Sequence, residues 1–111
     1  MFGLGKKASH REVTAPELQA MLAAGAVTLV DVREPNEFAA EHIAGAVNLP
    51  LSAFDPSALQ GAIGKTVVLQ CAGGKRSGMA LDKCVTAKAA IDTHLGGGLA
   101  AWKAAGLPTV R

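Results

Sequence analysis

Thr66-Val67-Val68-Leu69-Gln70-Cys71-Ala72-Gly73-Gly74-Lys75-Arg76-Ser77 is the stretch that decides how this chain folds. Its first five residues form an almost unbroken apolar, β-branched run, which suits a strand buried on both faces of a parallel sheet. Gly73 and Gly74 then turn the chain, and the pattern from Ser77 to about Ala89 is helical. A cysteine therefore stands between the carboxyl end of a central strand and the start of a helix. In open α/β sheets that is where ligands bind.

Working outward, the same alternation repeats. Residues 1–11 read as a flexible lead-in and residues 12–111 as one domain, with a short extended piece at Glu12-Val13. Thr14-Ala15-Pro16-Glu17 has the form of a capping box, with Thr14 as N-cap and Glu17 reaching back. Leu18, Met21 and Leu22 continue a helical stripe that Gly25 stops. Val27 to Val32 is a buried strand, and Asn36 to Ala40 a short helix. Ala46 to Leu49 is a second short strand. Asp55-Pro56 opens another helix, which runs through Leu59 to Ile63. Ala90 to Leu95 is the last strand, and a closing helix carries Leu99, Trp102 and Lys103. Strands alternating with helices predict an α/β fold, its largely parallel sheet covered by helices on both faces.

Composition narrows the function. A length of 111 residues suits one domain, and half of them are hydrophobic. A net charge of +2 lacks the basic excess of a nucleic-acid binder. Lys6, Lys7 and Arg11 have no aromatics among them and read as a solvated tail. Leu18 to Val30, among the longest stretches without a charged residue, spans 13 residues. A membrane span needs roughly 18 or more, so no membrane partner is expected. Two cysteines make no disulfide framework, and a reduced, cytoplasmic setting is expected.

The loop after the strand carries the chemistry. A thiolate is the reactive form of cysteine, and a free thiol has a pKa near ~8.5. A helix start supplies unbonded N–H groups and partial positive charge. Gly73 and Gly74 let the loop curl with its amides inward, forming an anion nest around the Cys71 sulfur. Lys75 and Arg76 add positive charge at the rim. This arrangement predicts a Cys71 pKa below the free value.

Cys71-Ala72-Gly73-Gly74-Lys75-Arg76-Ser77 resembles the active-site loop of the rhodanese family. Three more stretches resemble that family in the same order: Asp31 to Phe38, Glu41 to Leu49, and Gly97 to Pro108. The resemblance covers about residues 12 to 110. It departs at Glu41 and Ala44, where the family often has Gly and Pro, and at Lys88, where it usually has Gly. It implies a five-stranded parallel sheet flanked by helices, and a two-step sulfurtransferase reaction. Cys71 would take the outer sulfur of a small anionic donor such as thiosulfate. The resulting persulfide would pass it to cyanide, a thiol or a sulfur-relay protein. The amides of Ala72, Gly73, Gly74, Lys75 and Arg76 would cradle the sulfur, and Lys75 and Arg76 would orient the donor. No cofactor or metal is implied. Related phosphatases and arsenate reductases have one more residue between Cys and Arg, so the six from Cys71 to Arg76 favour a single sulfur atom over a tetrahedral oxyanion. A non-catalytic sulfur-carrier or binding module is the other alternative.

The remaining candidates read mainly as structural. Asp31 and Arg33 stand at a strand end, where they either shape the pocket or form a salt bridge that holds the junction. His42 reads as a buried hydrogen-bonder, and His94 as a structural or surface residue. Cys84 lies about 10 Å along the helix from Ser77, which favours core packing over a resolving thiol. Trp102 packs on the core. Gly61 to Thr66 hints at a phosphate loop, but Leu59 stands where its leading glycine belongs. The cysteines and histidines have no zinc-ligand spacing.

Overall fold

The computed structural model describes residues 10–59 and 65–111. The expected lead-in over 1–9 and the end of the expected helix over 60–63 lie outside the described residues. Nine elements follow in order: β1 Arg11–Val13, α1 Ala15–Ala23, β2 Val27–Asp31, α2 Pro35–Ala40, β3 Val47–Asn48, β4 Thr66–Gln70, α3 Lys75–Thr86, β5 Thr93–Leu95 and α4 Gly98–Ala104. Two 3-10 turns, Leu51–Ala53 and Pro56–Leu59, lie between β3 and β4.

The strands form one parallel sheet in the order β1-β5-β4-β2-β3. β4 is central, which is why its unbroken apolar run needs no polar face. Successive residues point to opposite sides of the sheet. Leu29 and Val68 face one layer with Leu18 of α1 and Leu99 and Trp102 of α4. Val30 and Leu69 face the other, with Ala80, Leu81 and Cys84 of α3 and Phe54. The sheet is thus covered on both sides. β3 and β4 flank β2 on opposite sides, so the strand order reverses there, and the carboxyl ends at such a switch are where open α/β sheets bind ligands.

Local chemistry explains the element ends. The Glu17 amide donates to Thr14 Oγ1 at 3.2 Å, and the Thr14 amide to Glu17 Oε1 at 2.8 Å. This capping box satisfies two otherwise orphaned donors at the start of α1. Asp55 caps the turn that follows it, accepting from the Ser57 amide at 2.9 Å, but that turn is 3-10 rather than α. Arg11, expected in the tail, opens β1 opposite Thr93.

The helix after the Cys71 loop starts two residues before Ser77, because Gly74 (φ 107°) makes the turn and Lys75 already has helical geometry. That helix closes at Thr86, short of Ala89. The Ala89 amide bonds back to the Cys84 carbonyl and the Lys88 amide to the Val85 carbonyl, with Lys88 left-handed at φ 59°. This is a Schellman stop with lysine where glycine fits best. The last strand is three residues rather than six, limited to the register that pairs with β1 and β4.

Candidate active site

Cys71 follows β4 directly, at the carboxyl end of the sheet, and is buried. Its carbonyl is pinned twice, by Gln70 Nε2 at 2.9 Å and by the Leu99 amide at 2.8 Å. The next carbonyl, of Ala72, accepts from the Ala100 amide at 3.0 Å. The first turn of α4 therefore fixes the backbone from which the thiol hangs. Gly98 permits that approach: it has φ +58°, and a Cβ there would lie 2.4 Å from the Cys71 carbonyl oxygen. Ala72 thus serves α4 through its carbonyl.

The loop curls over the sulfur. The Gly74 amide donates to Cys71 Sγ at 3.0 Å, and the Ser77 hydroxyl lies 3.5 Å from Sγ. Burial alone would raise the thiol's pKa. The Ser77 hydroxyl and the amides of Ser77, Gly74 and Gly73 outweigh it, so the Cys71 pKa falls below its ordinary value. Each of these donors favours the anion. The sulfur is not open to solvent, since Cys71 is only 1% exposed. Gly73 and Lys75 beside it are exposed, so the loop that wraps the thiol is itself surface.

The two cations of the loop have different surroundings. Arg76 is committed to Glu37 of α2, with Nη1–Oε1 at 2.7 Å and Nη2–Oε2 at 3.1 Å. Its hydrogen bonds, joined by those from the Glu34 backbone, hold the Glu37 carboxyl at a pKa of about 2. Lys75 is exposed and pairs with no described residue. Asp31 and Arg33 are buried against each other. Arg33 Nε and Nη2 both reach the Asp31 carboxylate, and Nη2 also donates to the Glu41 carbonyl at 2.7 Å. Their polar groups are spent on the junction between β2 and α2, which is the structural reading of the pair.

His42 donates from Nδ1 to the Phe38 carbonyl, 2.7 Å away, and stacks on the Phe38 ring. It is half-buried rather than buried. Cys84 is fully buried in the layer under α3, and burial pushes its thiol up to about 11. Trp102 is buried and donates from Nε1 to the Pro108 carbonyl at 2.8 Å.

Three residues complete the surroundings of the loop: Ser77, His94 and Glu37, and the sequence announces none of their contacts. The Ser77 hydroxyl bridges Cys71 and His94 Nδ1, the latter at 2.7 Å. His94 is 6% exposed in β5 and reaches the loop only because β5 lies beside β4. Glu37 meets Arg76 across a sequence separation of 39 residues. Strand order brings His94, and the packing of α2 on α3 brings Glu37, so no motif spacing announces these two contacts. A separate cavity of about 730 Å³ lies at the opposite end of the sheet, lined by Arg11, Thr66, Asp92 and Thr93 among others. Its described lining holds no cysteine or histidine.

The rhodanese-like domain model matches residues 14–105. The chain belongs to the rhodanese-like domain family. An uncharacterized protein of Synechocystis is 54% identical over 94 residues, covering 85% of this chain and 52% of that protein. A human thiosulfate:glutathione sulfurtransferase is 50% identical over 48 residues, covering 43% of this chain and 41% of that protein. The chain thus spans about half or less of these curated relatives. The crystal structure of a thiosulfate sulfurtransferase from Pseudomonas aeruginosa superposes with a TM-score of 0.78 at 26% identity. That match covers 97% of this chain and 21% of the other. The rhodanese-like fold places the five parallel strands and the Cys71 loop in one frame. Among the described residues of this rhodanese-like chain, no helix is long and apolar enough to cross a membrane.

Proposed function

We propose that this chain is a sulfurtransferase that carries sulfane sulfur as a persulfide on Cys71. The Gly74 amide aimed at Sγ from 3.0 Å, at the start of α3, carries this reading. It favours a thiolate at rest, and the thiolate is the nucleophile. In the first half-reaction the thiolate attacks the outer sulfur of thiosulfate. A Cys71 S–S bond forms, the donor S–S bond breaks, and sulfite leaves with the electron pair. In the second, an acceptor thiolate or cyanide attacks the outer persulfide sulfur and Cys71 leaves again as thiolate. The amides of Gly73, Gly74 and Ser77 face the charge that develops on sulfur in both steps. The exposed Lys75 is the cation available to an approaching anionic donor, while Arg76 holds the wall of the loop through Glu37. Relatives that act on thiosulfate and glutathione by name support a thiosulfate donor and a low-molecular-weight thiol acceptor.

The deciding experiment is intact mass after incubation with thiosulfate. The wild type gains one sulfur, about 32 Da for the persulfide, and Cys71→Ser gains none. An unloaded wild type, or a loaded Cys71→Ser, rejects the assignment. Hydrolysis of an aryl phosphate by the wild type but not by Cys71→Ser supports the phosphatase alternative instead.

A further inference from the structure

Cys71 and Ser77 are both buried, so the thiol proton has no direct path to water. A line of polar groups leads away from it. The Ser77 oxygen is 3.5 Å from Sγ and 2.7 Å from His94 Nδ1. The other ring nitrogen, Nε2, lies 3.4 Å from Glu12 Oε2, and the Glu12 side chain is 65% exposed on the edge strand β1. We propose that Ser77 and His94 relay the Cys71 proton to Glu12 at the sheet edge, so that the thiolate forms together with a histidine imidazolium. The proposal deepens the sulfur-transfer reading and rests on it for its purpose, which is to charge a nucleophile that is buried at rest.

The hydrogen positions follow from counting donors. The Glu12 carboxylate favours a hydrogen on His94 Nε2, which leaves Nδ1 as the acceptor. The single Ser77 hydroxyl hydrogen faces two acceptors, the Gly74 carbonyl at 3.2 Å and His94 Nδ1 at 2.7 Å, and the shorter contact gives it to Nδ1. Its oxygen then accepts the Cys71 S–H. In the transfer, the S–H bond breaks and an O–H bond forms at Ser77. The original Ser77 O–H bond breaks and an N–H bond forms at Nδ1. No electrons leave the set. The products are a thiolate, now receiving the Ser77 hydrogen, and an imidazolium facing Glu12, from which a proton can pass to solvent. His94 acts through Ser77 and is a positioning residue.

The groups around His94 suit this part. Glu12 faces it from β1, and Ser77 from α3, with Cys71 behind Ser77. His10, just before β1, meets the ring edge-on at 6.3 Å between centroids and is itself tied to Asp82 of α3 at 2.9 Å. Burial lowers the His94 pKa and His10 adds to that, so the ring rests neutral; both disfavour the imidazolium, and Glu12 is the group that favours it. Thiol and imidazole then titrate as a coupled pair.

The test is the pH dependence of Cys71 alkylation by iodoacetamide, followed by mass in the full chain. His94→Asn and Ser77→Ala raise the midpoint by about one pH unit, the scale of one charged or hydrogen-bonded neighbour. Glu12→Gln, at an exposed position, raises it by less. By NMR, the His94 ring titrates at lower pH in Cys71→Ala than in the wild type, because the thiolate charge is gone. An unshifted alkylation midpoint in a folded His94→Asn overturns the relay, as does an unchanged His94 titration in Cys71→Ala. If His94→Asn does not fold, Glu12→Gln and the NMR titration decide in the same way. Thiosulfate loading is read separately by mass. Failure to load with the midpoints shifted removes the sulfur chemistry and keeps the relay. Loading with no shift does the reverse.

Discussion

Arg76 in the first turn of α3 grips Glu37 of α2 through two parallel hydrogen bonds, 2.7 and 3.1 Å long. Glu37 Oε1 also accepts from the Glu34 amide at 2.9 Å, which closes the start of α2. One carboxylate thus ties the reactive loop to the α2 wall and caps a helix.

That tie has a pH signature. The Glu37 pKa falls from 4.5 to about 2, chiefly through the Arg76 hydrogen bonds. A depressed carboxyl stabilises the folded state fully above its unfolded value and loses that contribution as pH falls through the folded one. The wild type is expected to lose stability between pH 4.5 and about 2 more steeply than Glu37→Gln. Urea unfolding at a series of acidic pH values measures both slopes. Parallel curves would show that the ion pair adds nothing to the fold.

Gly98→Ala tests how α4 holds the loop. The new Cβ would meet the Cys71 oxygen at 2.4 Å and the Ala72 carbonyl carbon at 2.7 Å, at a φ of +58°. Both neighbours are backbone, so neither can swing aside. A loss of about 2–4 kcal/mol is expected from strain and overpacking together. Persulfide loading should fall with it, since the same shift moves Sγ from the Gly74 amide. A variant that melts and loads like the wild type contradicts this account.

Lys88→Gly should go the other way. Lys88 holds φ 59° at the Schellman stop of α3. A left-handed non-glycine residue costs about 1–2 kcal/mol, partly offset by the greater freedom of glycine in the unfolded chain. A net gain of about 0.5–1 kcal/mol is expected in thermal or urea unfolding, with no change in sulfur loading. Destabilisation would mean that the lysine side chain contributes more than its backbone strain.

The two thiols should separate cleanly. Near neutral pH, iodoacetamide is expected to modify Cys71 and spare Cys84, whose thiol is raised to about 11 by burial. Peptide mass mapping reads the site. Because the fold favours the neutral Cys84 thiol, its contribution is complete below 9.0 and fades as pH rises through about 11. Cys84→Ala should therefore flatten the alkaline arm of the stability profile. Preferential labelling of Cys84 at neutral pH would reverse the assignment of the reactive thiol.

Local patterns in the sequence determined a good deal about this protein. The apolar run of β4, the Thr14 capping box and the alternation of strands with helices each depend on neighbours a few residues apart, so chain order alone reveals them. The position of Cys71 between strand and helix follows for the same reason. Element ends were legible only approximately, because a φ at Gly74 or Lys88 and the register of β5 are set by what packs against them.

The surroundings of the sulfur were decided by tertiary structure. Sheet order puts β5 beside β4 and β1 beside β5, which brings His94 to Ser77 and Glu12 to His94. The α2 wall brings Glu37 to Arg76, an ion pair formed only in the folded chain. Hydrogen bonds act over about 3 Å, whereas these partners lie 17 to 82 residues apart in the chain (Ser77 to His94, Glu12 to His94). Only the folded chain brings them within that reach.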